Sequence, residues 1–97
     1  MIDISVIIVN WNTRQYTLDC IRSLYAYQSK YSLEVIVVDN ASKDDSVSAL
    51  KAEFPRVIVI ENKENLGFAR ANNQGMDIAQ GRYVCLVNSD ILFLEDT

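Results

Sequence analysis

Two carboxylates of this chain stand where chemistry is easiest to do, directly past runs of apolar and β-branched residues. Asp39 closes the run Val35–Val38, and Asp90 follows Tyr83–Val87 within Asn88-Ser89-Asp90. A carboxylate at the position of Asp39 can accept hydrogen bonds from a ligand N–H or hydroxyl. One at Asp90 suits Mg²⁺ or Mn²⁺, hard cations that commonly take one or two carboxylates together with substrate phosphate oxygens. Trp11, between Asn10 and Asn12, offers a flat face with a polar edge. The stretch Asn65-Leu66-Gly67-Phe68-Ala69-Arg70-Ala71-Asn72-Asn73-Gln74-Gly75 sets a glycine turn at a helix start, where free amides favour anions. Arg70, one turn into that helix, adds positive charge suited to a phosphate. Each feature also has a plainer reading as loop punctuation, a capping carboxylate or a packing tryptophan. The chain contains no histidine, which removes histidine bases, Ser-His-Asp triads and His-liganded zinc from within it.

Positioning these groups together requires a particular set of elements. Four short apolar runs each end in carboxylates or carboxamides: Val6–Val9 in Asn10 and Asn12, Val35–Val38 in Asp39 and Asn40, Val57–Ile60 in Glu61 and Asn62, Tyr83–Val87 in Asn88 and Asp90. In a parallel sheet crossed by helices, all strand carboxyl ends share one rim, and ligands bind there. The sequence predicts strands over 4–10, 33–39, 57–60 and 83–87. Thr17, Cys20, Ile21, Leu24, Tyr25 and Gln28 recur at helical spacing over 13–28. Ser42-Lys43-Asp44-Asp45 resembles a capping box for a second helix, with Val47, Leu50 and Phe54 on its buried stripe and Pro55 ending it. A third helix starts near Gly67, with Phe68, Ala71, Asn72, Gly75, Met76 and Ala79 on one face and Gly81 as its terminator. Alternating strands and helices argue a parallel sheet with right-handed crossovers. Convergence of the polar ends calls for the order 3-2-1-4. A last apolar run, Ile91–Leu94, needs a packing partner, so the chain is expected to stop before the fold is finished.

Bulk properties narrow the partners. Ninety-seven residues suffice for one core, and 49% hydrophobic with 23% charged residues is a globular composition. A net charge of -4 leaves no basic footprint for nucleic acid. Cys20 and Cys85 read as small buried hydrophobes in a reducing compartment. No stretch approaches the roughly 20 apolar residues of a membrane span and no signal peptide is visible, so a cytoplasmic protein is expected. The turn Asn10-Trp11-Asn12-Thr13 lacks glycine, so the dinucleotide fingerprint fails where it should sit. A Walker A sequence is absent, and the acidic pair and third-strand aspartate of a phospho-receiver domain are missing.

In order, Ser5-Val6-Ile7-Ile8-Val9-Asn10-Trp11-Asn12, Val37-Val38-Asp39-Asn40-Ala41-Ser42-Lys43-Asp44, Asn65 to Gly75, and Leu86-Val87-Asn88-Ser89-Asp90 resemble the motifs of family-two glycosyltransferases of the GT-A fold. The resemblance runs from Ile4 to about Asp90. It implies an α/β, three-layer Rossmann-like architecture, with residues 1–97 forming the nucleotide-diphospho-sugar-binding part of a longer domain whose acceptor half is missing. It implies that Val9, Asn10, Trp11, Asn12, Asp39 and Asn40 hold a uracil or thymine base and its ribose. Gly67, Arg70 and Asn73 would border the nucleotide and diphosphate. Asn88-Ser89-Asp90 matches the family's Asp-x-Asp motif, with Asn88 and Ser89 beside the nucleotide and Asp90 on the Mg²⁺ or Mn²⁺. Asn88 stands where many members have Asp, keeping an acceptor and losing the charge. An Asn there resembles a rhamnosyl- and galactofuranosyltransferase branch.

The implied activity is inverting transfer from a UDP- or dTDP-sugar to a hydroxyl of a saccharide or lipid-linked acceptor, in bacterial cell-wall or polysaccharide biosynthesis. The matching catalytic base would lie beyond Thr97, so no catalytic residue is expected within the chain. Self-association through Ile91–Leu94 and peripheral contact of the full-length protein with the inner membrane face are further expectations. Two other readings compete: a non-catalytic nucleotide-sugar-binding module, which Asn88 favours, and nucleotidyl transfer. The latter usually brings a glycine-rich loop with a basic residue near the N-terminus, and Asn10 to Arg14 supplies none.

Overall fold

The computed structural model describes residues 2–26 and 32–87. Its β-branched runs become β1 (Ile4–Asn10), β2 (Leu33–Asn40), β3 (Ile58–Asn62) and β4 (Tyr83–Val87). Between them lie α1 (Arg14–Ala26), α2 (Ser46–Glu53) and α3 (Phe68–Ile78). The strands pair in parallel in the order β3-β2-β1-β4, as the convergence argument requires. Side chains alternate between the two faces of the sheet, so each central strand feeds two cores. Val6, Ile8, Val35 and Val37 pack with Leu18, Ile21 and Leu24 of α1 and Leu50 of α2. Ile7, Ile36 and Val38 pack with Ala71 of α3 on the other face. This double coverage explains why β1 and β2 read as unbroken apolar runs.

α3 approaches the sheet closely. A Cβ on Gly75 would lie 2.6 Å from Ile7 Cγ2, so glycine is what lets helix and strand meet at this distance. Gly81 plays a different part from the helix terminator expected of it. Gly67 is the glycine with positive φ, and α3 ends at Ile78 with Ala79 as its C-cap. At Gly81 a Cβ would meet the Ser5 backbone nitrogen at 2.5 Å, so the close pass of this loop over β1 demands it. A buried clasp holds the pass. Ser5 Oγ donates to Glu34 Oε2 at 2.6 Å and accepts from the Gly81 amide at 2.8 Å, while Glu34 Oε2 also accepts from the Gln80 amide at 2.9 Å.

The capping-box expectation fails at Ser42. α2 begins at Ser46, after Asp45, whose φ is 62° and whose side chain makes no cap bond. Ser42 is drawn instead toward the β1–α1 turn, and Asp44 serves the helix start by accepting from the Ser46 amide at 3.2 Å and from its hydroxyl. Cys20 is buried as expected, but Cys85 is exposed. β4 is one of the two edge strands among the described residues, and the helices that cover the sheet pack on β1 and β2, leaving Tyr83, Val84 and Leu86 exposed too. Phe68 and Met76 are likewise exposed, because the buried face of α3 narrows to Ala71, Asn72 and Gly75. Among the described residues no helix is long and apolar enough to cross a membrane.

Candidate functional site

The parallel register sets the polar strand ends abreast. Asn10 pairs with Asp39, and Asp39 with Glu61, while Asn40 pairs with Asn62. Val87 at the end of β4 is in register with Ile8, so β4 points to the same rim. The centre of the rim is Asp39, 3% exposed, beside Asn10, 0% exposed.

Asn10 is saturated. Its Nδ2 donates to Asp39 Oδ1 at 2.6 Å and to Ser42 Oγ at 3.1 Å. Its Oδ1 accepts from the Thr13 and Thr17 hydroxyls, both at 2.7 Å. A carboxamide has two donor hydrogens and two acceptor lone pairs, and all are in use. The Asn10 side chain therefore holds Asp39 and the start of α1 rather than reaching outward. Asp39 has capacity left. Its Oδ2 accepts from the Ser42 amide at 2.9 Å, so each oxygen carries one internal bond out of about four acceptor sites on the ionised group.

The two loops beyond β1 and β2 are stitched together. The Asn12 amide donates to Ser42 Oγ, and the Lys43 amide donates to Asn12 Oδ1, each at 2.8 Å. Asp44 spans both helix starts, accepting from the Arg14 amide at 3.0 Å as well as from Ser46. Partial burial pushes the Asp44 carboxyl up, but the bonds from the Ser46 hydroxyl and the Arg14 and Ser46 amides outweigh it and hold the group below the ordinary carboxylate range. Ala41, between the two anchors Asn40 and Ser42, adopts φ 63°, a region that side chains with a Cβ occupy at a cost of roughly 1–2 kcal/mol. A pocket of about 240 Å³ opens here, lined by Asp39, Ala41, Ser42 and Lys43 together with Glu61, Asn62 and the start of α2.

The remaining expected residues divide. Trp11 is 53% exposed at the tip of the β1–α1 turn. Val9 packs under the sheet beside Ala71 and Ile60, so its side chain belongs to the core. Asn40, 2% exposed, is bound to Asn62 and to the α3 entry segment. Gly67, with φ 87°, is the N-cap of α3. Arg70 and Asn73 are exposed on the side of α3 away from Ala71 and Gly75, as the helical period dictates. Asn88, Ser89 and Asp90 lie outside the described residues, as do Gln28 and Ile91–Leu94. Among the described residues no group of three or more His, Cys, Asp or Glu side chains could hold a metal ion. Sequence reasoning missed Ser42 and Thr13 as parts of the site, and set Asn62 on the rim without giving it a role. It placed Thr17 on the buried stripe of α1 without drawing the consequence, since a buried hydroxyl needs a polar partner.

The sequence profile described as Glycosyl transferase family 2 matches residues 5–97. The chain belongs to this family. Glycosyltransferase GlyG of Streptococcus pneumoniae is 32% identical over 96 residues, covering 96% of this chain and 32% of the relative. TarS of S. aureus, solved also with UDP and with UDP-GlcNAc, superposes with a TM-score of 0.82 at 26% identity, over 92% of this chain and 28% of TarS 1-349. The mannosyltransferase PcManGT from Pyrobaculum calidifontis, in complex with GDP-Man and Mn²⁺, gives 0.81 at 29% identity over 92% of this chain and 28% of its own. The family-2 chain thus has the GT-A fold, and it spans about a third of the length of such relatives.

Proposed function

We propose that this family-2 chain forms the donor-nucleotide half of a glycosyltransferase that moves a sugar from a UDP- or dTDP-sugar to an acceptor hydroxyl with inversion. The observation that carries the reading is Asp39: a nearly buried carboxylate on the strand-end rim, held by Asn10 and Ser42, with acceptor capacity to spare. It accepts from the imide N–H of uracil or thymine. Trp11 supplies an exposed aromatic face on the β1–α1 turn, the amides at the start of α3 take the diphosphate, and Arg70 adds charge to that end. In the transfer, the bond from the anomeric carbon to the diphosphate oxygen breaks as the acceptor oxygen attacks from the opposite face. A carboxylate base outside the described residues takes the acceptor proton.

A divalent cation, when bound, supplies charge neutralisation for the leaving diphosphate. The residue we assign to the cation is Asp90, by the match of Asn88-Ser89-Asp90 to the family's Asp-x-Asp motif, with Asn88 and Ser89 beside the nucleotide. Neighbours in complex with UDP and with GDP-Man and Mn²⁺ support a nucleotide-sugar donor and a metal.

Calorimetry with UDP, dTDP, GDP and ADP, with and without Mn²⁺, tests the reading. UDP or dTDP should bind best, and Mn²⁺ should raise the affinity in the wild type but not in Asp90→Ala. A preference for ADP or GDP would overturn the base assignment, and metal-independent binding would overturn the role given to Asp90.

A further inference from the structure

A second carboxamide network lies at the junction of β2, β3 and α3. Asn62, the last residue of β3, donates from Nδ2 to Asn40 Oδ1 at 2.9 Å and to Gln74 Oε1 at 2.8 Å. Gln74, in the second turn of α3, donates from Nε2 back to Asn62 Oδ1 at 2.9 Å. The Asn62–Gln74 pair is reciprocal, and both amide hydrogens of Asn62 are in use. Asn40 in turn brackets the segment that enters α3. Its Oδ1 accepts from the Leu66 amide at 3.4 Å, and its Nδ2 donates to the Gly67 carbonyl at 3.3 Å.

The network has a direction. Because Asn62 presents an N–H, the Asn40 atom facing it must be the oxygen. A flipped Asn40 would set its NH₂ against the donors of Asn62 and Leu66, and its oxygen against the Gly67 carbonyl. At a residue 2% exposed, water cannot relieve such contacts, and each leaves a buried polar group unpaired. The fixed polarity of the Leu66 amide and the Gly67 carbonyl selects the orientation of Asn40, and Asn40 Oδ1 in turn selects the Asn62 donor. Gln74 closes the far end as a reciprocal partner that holds the Asn62 carboxamide in place against Asn40. The last two bonds are the longest of the series, so the segment depends most on the alignment of the amides behind it.

We propose that Asn62 and Gln74 are positioning residues for nucleotide binding: they lock Asn40, and through it hold Leu66 and Gly67 in the conformation that receives the diphosphate. The proposal rests on the donor-binding reading above. It assigns a role to two residues whose own carboxamides need never touch the ligand, and it explains why an Asn on β3 and a Gln on α3 meet end to end.

The test compares the full chain with Asn62→Leu, Gln74→Met and the length-exchanged double variant N62Q/Q74N. Amide hydrogen exchange at Leu66, whose N–H donates to Asn40 Oδ1, is measured without ligand, and UDP and dTDP affinity by calorimetry. Each single variant should exchange faster at the Leu66 amide and bind about three- to tenfold more weakly, the scale of a lost hydrogen bond. The exchanged pair restores the donor and acceptor inventory and should recover both readouts. Unchanged exchange in both single variants would overturn the lock. Faster exchange with unchanged affinity, or a lower Tm as the sole effect, would overturn the positioning role. Failure of the wild type to bind either nucleotide would overturn the donor reading and the positioning role with it, while the ligand-free exchange still judges the lock.

Discussion

At the scale of single residues, the site depends on Asn10 and Asp39 as a unit. Asp39→Asn changes two things at once. It removes the charge that favours an imide N–H, which should weaken UDP or dTDP binding by about 1.5–3 kcal/mol. It also leaves one oxygen to serve two buried donors, the Asn10 Nδ2 and the Ser42 amide, so stability should fall by about 1–3 kcal/mol. Calorimetry and urea unfolding on the same variant separate the two effects, and unchanged affinity would rule the base contact out. Asp44 gives a pH signature. Its folded pKa is lowered, so its contribution is present above the unfolded carboxylate range and is lost as pH falls through the folded value. Wild type should therefore be more stable than Asp44→Ala at pH 7, and the gap in Tm should close on acidification below about pH 4.

Among the elements, the tight contact of α3 with β1 is the sensitive joint. Gly75→Ala puts a methyl 2.6 Å from Ile7 Cγ2, and Ile7 is wholly buried with little room to give. Overpacking of this kind typically costs about 1–3 kcal/mol, and urea unfolding should show a loss in that range. Gly81→Ala should be worse, because the atom in the way is a backbone nitrogen of β1. Both substitutions would displace elements that carry site residues, α3 with Gly67 and Arg70, β1 with Asn10.

For the molecule as a whole, the uncovered edge matters. β4 exposes Tyr83, Val84 and Leu86, and among the described residues it pairs on one side alone, with β1. Apolar surface gathered on an unpaired edge favours association. A polypeptide of these 97 residues should therefore sediment as a concentration-dependent mixture, and Leu86→Lys should shift it toward the monomer. The same polypeptide should bind nucleotide and transfer no sugar. None of the described residues is assigned as the base, and without a positioned base and a bound acceptor the proximity contribution of roughly 7–11 kcal/mol would be lost. An assay with UDP- and dTDP-sugars decides this, and turnover would direct mutagenesis to Glu95 and Asp96.

From the chain alone came the alternation of strands and helices, the sheet order and which polar residues of β1, β2 and β3 reach the rim. Those features follow from local patterns, β-branched runs of strand length and helical spacing between them, combined with the strong constraints on parallel sheets. Asp39, Asn10 and Asn62 could be placed at strand ends from the chain alone. What their side chains do there could not. Asn10 meets Asp39 across 29 residues and Ser42 across 32, and the Ser5 hydroxyl meets the Gly81 amide across 76. Whether a carboxamide in such a place faces a ligand or a neighbouring chain segment depends on register and loop path, which no local pattern encodes. For the same reason Ser42 read as a helix cap, Gly81 as a terminator and Cys85 as buried. Local propensity proposes a partner nearby, and tertiary packing supplied a better-satisfied one from elsewhere, or, at the β4 edge, none among the described residues to cover the thiol.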